Sequence, residues 1–273
     1  MKKIVLIIAI FCSFLVFSQE KENIDWINGK IYSSIFVYVK NDYDFAHNRL
    51  KEIDIAREKA KVNYYSILKK INLSESTPVL DYIENTGNKN RDLFSLIDNA
   101  RLNKIEYPNI NTIKVTYYIN IYGENSLMSI VMNERDFFTE DLKGYMGFIY
   151  ETNYTGVIID ARGSLTSFDG KNVKVEPSMF VTIKDSEGRI VFNQYNVLPS
   201  VIKNKGMIRY SYDVKENLSD RVGEKPLKIV AYGTGDGSGS IIVVSENDAK
   251  RMLASEKTRQ SIKNGNIAVI IDP

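Results

Sequence analysis

Apolar and polar residues alternate along two long segments of the chain, a period of two that is typical of β-strands. The first segment spans residues 30–39, where both faces carry apolar side chains. The second spans residues 112–122 and is the longest strand signal in the sequence. Turn residues at 123–125 predict a hairpin that leads into a partner strand at 126–132. The N-terminal half is therefore expected to contain an antiparallel sheet.

A period of three and four residues runs through residues 46–71 and predicts an amphipathic helix of about seven turns. Two alanines at the middle of its apolar stripe allow close approach to a sheet. The stripe consists of Ala46, Leu50, Ile53, Ala56, Ala60, Tyr64, Ile67 and Ile71. Two shorter helices are expected, one that starts at Thr77-Pro78 and stops near Gly87, and one over residues 91–101.

The C-terminal half is dominated by short strand signals. They lie at residues 157–159, 180–183, 190–192, 207–212, 227–232, 241–244 and 267–271. The residues at 185–188 have the chemistry of a hairpin turn. A capping pattern at 245–248 predicts a helix between the last two strands.

These patterns predict an α+β fold in which a long helix packs on an antiparallel sheet. A mostly antiparallel β subdomain follows and ends in a strand-helix-strand unit. We expect the two subdomains to span residues 19–150 and 151–273.

Residues 1–18 have the features of a secretory signal peptide. Lys2 and Lys3 precede an apolar run that is shorter than the ~20 residues needed to cross a bilayer. We expect cleavage after Ser18, and an uncleaved N-terminal anchor is the alternative. Cys12 follows a bulky Phe11, which does not fit a lipid-attachment site, so lipidation at Cys12 is the less favoured outcome.

The composition narrows the chemistry that the folded chain can perform. The 273 residues include 36 Lys and Arg, 34 Asp and Glu, one His and one Cys. Signal cleavage would remove Lys2, Lys3 and Cys12, leaving a neutral chain that can form no disulfide. A zinc site of Cys and His ligands is excluded, and a catalytic triad would depend on His47 alone. We expect no cofactor and no nucleic-acid partner.

The most obvious motif is the glycine-rich stretch at residues 233–239. A dinucleotide loop leads from a strand into a helix, whereas this stretch lies between two strand signals. We therefore interpret it as a hairpin loop, with a calcium site at Asp236 as the alternative.

Asp160 and Arg162 are the candidate site residues, because they follow directly after a short apolar strand. A carboxylate at a strand end can act as an acid, a base or a metal ligand. The alternative is a structural Asp in a turn, with Gly163 supplying a positive φ. The Tyr- and Phe-rich strands could stack on bases or sugars, but their alternation first indicates core positions, and we expect no cluster of Lys and Arg beside them.

Two C-terminal segments carry a family resemblance. They are Tyr-Thr-Gly-Val-Ile-Ile-Asp-Ala-Arg-Gly at 154–163 and Ile-Ile-Val-Val-Ser-Glu-Asn-Asp-Ala at 241–249. Together with the Ala-bearing helix, they resemble bacterial cell-envelope proteins related to the small (twenty-kilodalton) outer-membrane lipoproteins and to the N-terminal region of the flagellar assembly protein FlgT. The chain departs from that pattern in lacking a lipid-acceptor Cys and in carrying a longer insert at residues 164–174.

The resemblance implies a non-enzymatic exported protein of the periplasm or outer-membrane periphery. Such a protein would act through contacts with envelope or flagellar proteins, in flagellar or outer-membrane assembly, and peripheral association with the outer membrane is one expected arrangement. It implies no particular oligomeric state. The competing hypothesis is a hydrolase or small-ligand-binding protein whose site lies around Asp160 and Arg162.

Overall fold

A computed structural model describes most of the chain and has the predicted α+β architecture. The described residues are 23–40, 44–75, 77–87, 89–132, 139–148, 152–235, 237 and 239–273. The predicted signal peptide with Cys12, the expected boundary near residue 150 and Asp236 lie outside them. The chain forms two compact units. The first unit comprises Met1–Ile67 and Phe94–Ile121, and the second comprises Leu68–Leu93 and Tyr122–Pro273.

Sixteen strands and eight α-helices are formed by the described residues. The strands are β1 (Ile24–Asp25), β2 (Lys30–Tyr38), β3 (Asn72–Ser74), β4 (Thr77–Pro78), β5 (Arg101–Asn109), β6 (Thr112–Asn120), β7 (Val157–Asp160), β8 (Leu165–Thr166), β9 (Asn172–Val173), β10 (Thr182–Asp185), β11 (Ile190–Phe192), β12 (Arg209–Ser211), β13 (Leu227–Val230), β14 (Gly233–Thr234), β15 (Ile241–Val244) and β16 (Ile267–Ile270). The helices are α1 (Phe45–Leu68), α2 (Val79–Asn85), α3 (Lys89–Asp98), α4 (Leu127–Val131), α5 (Pro199–Lys205), α6 (Ser219–Val222), α7 (Glu246–Leu253) and α8 (Glu256–Lys263).

The first unit is an antiparallel sheet with the long helix α1 on one face. The strand order is β1-β2-β6-β5. Ala56, Ala60 and Tyr64 of α1 are buried, and the Ser33 hydroxyl of β2 donates to the Ala60 carbonyl at 3.3 Å. The small alanine side chains let the helix approach this closely, so the predicted helix-on-sheet arrangement is confirmed.

The strand predicted at residues 126–132 is wrong, because these residues form α4. Ser126 caps the helix: its hydroxyl accepts from the Ser129 amide, and the Ser129 hydroxyl accepts from the Ser126 amide. The partners of β6 are instead β2 and β5. The prediction missed β5 because it is an edge strand whose residues are mostly exposed.

The second unit contains a fully parallel sheet beside a mixed one. The parallel sheet has the order β12-β16-β7-β13, and the mixed sheet has the order β11-β10-β15-β14. The predicted hairpin at 185–188 is confirmed as β10–β11. The strand-helix-strand unit is also present, as β15, α7, α8 and β16, but its two strands belong to different sheets. The predicted antiparallel pairing therefore holds for only part of the second unit. The long connections between its other strands allow them to pair in parallel.

The centre of the parallel sheet is tightly packed. Every residue of β16 is buried, and Ala268 of this strand packs against Leu218 and Val222. Gly156 precedes β7, and a Cβ atom there would lie 2.5 Å from the carbonyl oxygen of Asn266. Only glycine fits at this position. Among the described residues, no helix is long and apolar enough to cross a membrane.

Candidate functional site at the carboxyl edge of the parallel sheet

The four parallel strands of the second unit end at the same edge of their sheet. Asp160 is the last residue of β7 and Ser211 the last of β12, while Asp272 follows shortly after β16. Polar side chains from distant parts of the sequence therefore meet here. In open parallel sheets, ligands bind preferentially outside the carboxyl ends of the strands.

Asp160 and Arg162 form an ion pair with each other. The guanidinium Nε donates to Oδ1 of Asp160 at 2.9 Å and Nη2 donates to Oδ2 at 2.7 Å. The Arg162 amide adds a hydrogen bond of 3.3 Å to Oδ1. The hydrogen bonds from the Arg162 side chain hold the pKa of the Asp160 carboxyl below its usual value. Asp160 is thus a charged carboxylate with both oxygens engaged.

Asp272 connects the end of β16 to the turn after β7. Its Oδ2 accepts from the Gly163 amide at 3.0 Å and lies 3.2 Å from the Lys174 ammonium. The hydrogen bond with Lys174 and the backbone bond from Gly163 lower the pKa of Asp272. Lys174 ends the 164–174 insert, so the insert contributes a cation to this edge.

The end of β12 carries a third polar cluster. The buried Ser211 hydroxyl donates to Oε2 of Glu216 at 2.5 Å, and Nη2 of Arg209 donates to Oε1 of Glu216 at 2.6 Å. The Ser211 Oγ also accepts from the Asp213 amide at 3.1 Å. These bonds fix the hydroxyl in a local turn that shapes the loop after β12.

A cleft of ≈ 280 Å³ opens at the same edge. Its walls are mostly apolar, and its charged residues are Asp160, Glu216 and Lys228. The complete lining is Ile158, Asp160, Val214, Glu216, Leu218, Lys228, Ile229, Val230 and Ile270. Val230 and Val214 remain 68% and 49% exposed, so the apolar surface continues outward from the cleft.

The other sequence candidates lie elsewhere. His47 is exposed on α1 of the first unit, and Trp26 is buried. The glycine-rich stretch starts as β14, which pairs antiparallel with β15, in agreement with a hairpin loop. Among the described residues, no group of three or more Asp, Glu, His or Cys side chains could hold a metal ion.

The interpretation of the aromatic strands as core holds for only one face of the first sheet. Tyr117 is buried, but Phe36 and Tyr38 are 51% and 66% exposed. Lys30 and Lys114 lie on the same face as these exposed rings. The alternation within β2 is the signal that places Lys30 beside the rings, since residues 30, 32, 34, 36 and 38 share one side.

The C-terminal part of the chain is similar to a domain of a bacterial protein. Residues 156–273 match the family described as Treponema pallidum Tp0624, second domain. The match begins at Gly156 and covers all strands of the parallel sheet. No curated protein matches the chain.

Proposed function

We propose that the protein is a non-enzymatic, exported cell-envelope protein that binds a partner protein at the cleft beside β13. The observation that carries this proposal is the exposed apolar surface at that edge. Val230 and Tyr232 are both 68% exposed, and Val214 extends the patch across the cleft. An apolar centre with charged residues at its rim is the usual anatomy of a protein interface.

The state of the carboxylates supports binding over catalysis. Asp160 is paired with Arg162, Asp272 with Lys174 and Glu216 with Arg209. A general acid or base needs a group that exchanges its proton near neutral pH. The lowered pKa values of Asp160 and Asp272 move these groups away from that range.

The edge position of β13 suggests how a partner would dock. In the described sheet β13 pairs with β7 and with no other strand, so its outer edge has no strand partner. Exposed strand edges recruit extended segments of partner proteins through main-chain hydrogen bonds. The resemblance of segments 154–163 and 241–249 to small outer-membrane lipoproteins and to FlgT supports a partner in outer-membrane or flagellar assembly.

Site-directed photo-crosslinking in the source bacterium tests this proposal. A benzophenone amino acid placed at Val230 should give a discrete cross-linked product in the envelope fraction. The same group at Ile190, which is 59% exposed on β11, serves as the control and should not. Equal products at both positions, no product at Val230, or recovery of the protein in the cytoplasmic fraction would contradict the proposal.

A hydrolase or small-ligand-binding protein is the second candidate. It is favoured by the cleft itself, which brings Glu216 and Lys228 to the same cavity as Asp160. Native mass spectrometry of protein purified from the source bacterium separates the candidates. A bound small molecule that is lost in Asp160→Asn supports this second function, whereas a ligand-free wild-type protein excludes it.

A further inference from the structure

The sheet of the first unit has one face that α1 does not cover. Ser33 faces α1 through its bond to the Ala60 carbonyl, so the alternate positions of β2 point to the opposite side. Tyr32, Phe36 and Tyr38 lie there, and Tyr118 joins them because it is paired with Tyr32 in the register. We call this the aromatic face.

The aromatic rings are arranged as a surface and not as a core. The ring centroids of Tyr32 and Tyr118 are 6.2 Å apart with a tilt of 51°. Phe36 and Tyr38 are more than half exposed. From Tyr32 to Tyr38 the strand spans roughly 20 Å, which is long enough for several units of an extended polymer.

Cations accompany the rings. The Lys30 ammonium lies 4.6 Å from the Tyr118 ring centroid, and the Lys114 ammonium lies 5.7 Å from that of Phe36. The register places Arg101 opposite Tyr118 and Lys104 opposite Thr116 on the same side.

Two carboxylates partly balance these four cations. Glu106 lies 3.1 Å from the Lys104 ammonium and 3.6 Å from that of Lys114. Asp25 is opposite Lys30 in the register, but its two oxygens accept from Asn28 at 2.9 and 2.7 Å. Lys30 and Arg101 are therefore the cations best placed to meet an anionic ligand.

We propose that the aromatic face binds an acidic glycan strand. Pyranose rings would stack their C–H faces on the aromatic side chains, and their carboxylates would pair with Lys30 and Arg101. The half-buried Ser34 hydroxyl lies between the rings and is held by a 2.9 Å hydrogen bond with the buried Thr116 hydroxyl, so Ser34 is the group that would meet a sugar hydroxyl.

A glycan fits this face better than a single-stranded nucleic acid. Nucleic-acid binding depends on many phosphate contacts and a strongly positive surface. Here two of the four cations are already paired with Glu106, and the chain as a whole carries a charge of only +2. This ligand site lies in a different unit from the cleft and does not depend on the proposed partner.

Affinity electrophoresis of the full chain tests the proposal. The probes are polygalacturonate and soluble uncrosslinked peptidoglycan strands, with dextran as the uncharged control and a twelve-nucleotide oligo-dT as the competing polymer. We expect retardation by at least one acidic glycan and weaker retardation by dextran and oligo-dT. Binding to neither acidic glycan, equal binding to dextran, or tighter binding to oligo-dT would overturn the proposal.

Three variants locate the site. The double variants F36A/Y38A and K30Q/R101Q should each weaken binding about tenfold, and K30Q/R101Q should also reduce its dependence on salt. Phe94→Ala is the matched control, because Phe94 is 60% exposed on α3 in the same unit, and it should bind within about twofold of wild type. A thermal melt checks that each variant is folded. Equal losses in Phe94→Ala, or wild-type binding in both double variants, would contradict the assignment.

Discussion

Arg162 binds both carboxylate oxygens of Asp160, the residue two positions before it, at 2.9 and 2.7 Å. The two side chains that the sequence marks as a candidate site are thus partners of each other. The pair also fixes the turn that follows the central strand β7, because the Arg162 amide bonds to the same carboxylate. Of the two residues, Asp160 lines the cleft.

Replacing Asp160 with Asn should destabilise the protein in a pH-dependent way. The pKa of Asp160 is lowered by its hydrogen bonds with Arg162, so its stabilising contribution is present above the usual Asp pKa and is lost as the pH falls through the lowered value. The difference in free energy of unfolding between wild type and Asp160→Asn should be constant above about pH 5 and shrink below about pH 4. Urea unfolding across this range measures it. Glu224→Gln, at an exposed site, is the control. A loss of stability in this variant with the same size and the same pH dependence would refute the prediction.

Removing the hydroxyl of Tyr145 should weaken the turn between β10 and β11. This hydroxyl donates to Oδ2 of the fully buried Asp185 at 2.6 Å. Burial alone would raise the pKa of Asp185, but the bonds from Tyr145 and Arg189 hold it below its usual value. We expect Tyr145→Phe to lose about 1.5–3 kcal/mol in urea unfolding, since the buried acceptor is charged. Tyr232→Phe, at a 68% exposed ring, should change little, and equal losses would argue against the bond.

Arg221 should not be replaceable by Lys. Arg221 is 7% exposed, and its guanidinium donates to the carbonyls of Lys205 and Gly206 at 2.9 and 2.8 Å, which closes the C-terminus of α5. Burial lowers the pKa of Arg221 to about 10. A Lys ammonium cannot span both carbonyls, so Arg221→Lys should cost about 2 kcal/mol. The exposed control Arg101→Lys should change the free energy of unfolding by less than about 0.5 kcal/mol. An equally small change in Arg221→Lys would show that the two hydrogen bonds of the planar guanidinium are not required.

Two glycines of the same loop should respond differently to a methyl group. Gly239 has φ 74°, and a Cβ there would collide with the Lys174 carbonyl oxygen. At Gly237 the nearest atom would be 3.8 Å away, on the Lys171 side chain. Gly239→Ala should lose at least about 2 kcal/mol of unfolding free energy, and Gly237→Ala less than about 0.5 kcal/mol. Equal melting temperatures of the two variants would contradict this reading of the loop.

Local signals predicted the elements of the fold better than their pairing. The turn between β10 and β11 and the part of the α1 stripe from Ala56 to Ile67 depend on neighbouring residues and were predicted correctly. The start of the predicted stripe is wrong, because Leu50 is 66% exposed. At Ser126 two local signals compete, the turn residues at 123–125 and the capping pattern with Ser129, and the capping pattern decides the structure. The capping interaction stabilises helix α4, which forms where the hairpin strand was predicted.

The candidate site could be predicted only in part, because its residues are brought together by strand pairing and not by local sequence. Asp160 and Arg162 are near each other in sequence, and their position at a strand end is visible there. Glu216 and Asp272 reach the same edge only because β12 and β16 run parallel to β7. A hydrophobic period does not distinguish parallel from antiparallel pairing, so no local pattern indicates this convergence.

The central position of β7 has a consequence for the kinetics of folding. Its two neighbours in the sheet, β13 and β16, begin about 70 and 110 residues later in the chain. No hairpin can nucleate this sheet, and loop-closure entropy must be overcome before any of its ladders forms. The second unit should therefore fold slowly, and the apolar residues of β7 should stay exposed until the last strand arrives, which makes the unfinished chain a substrate for chaperones.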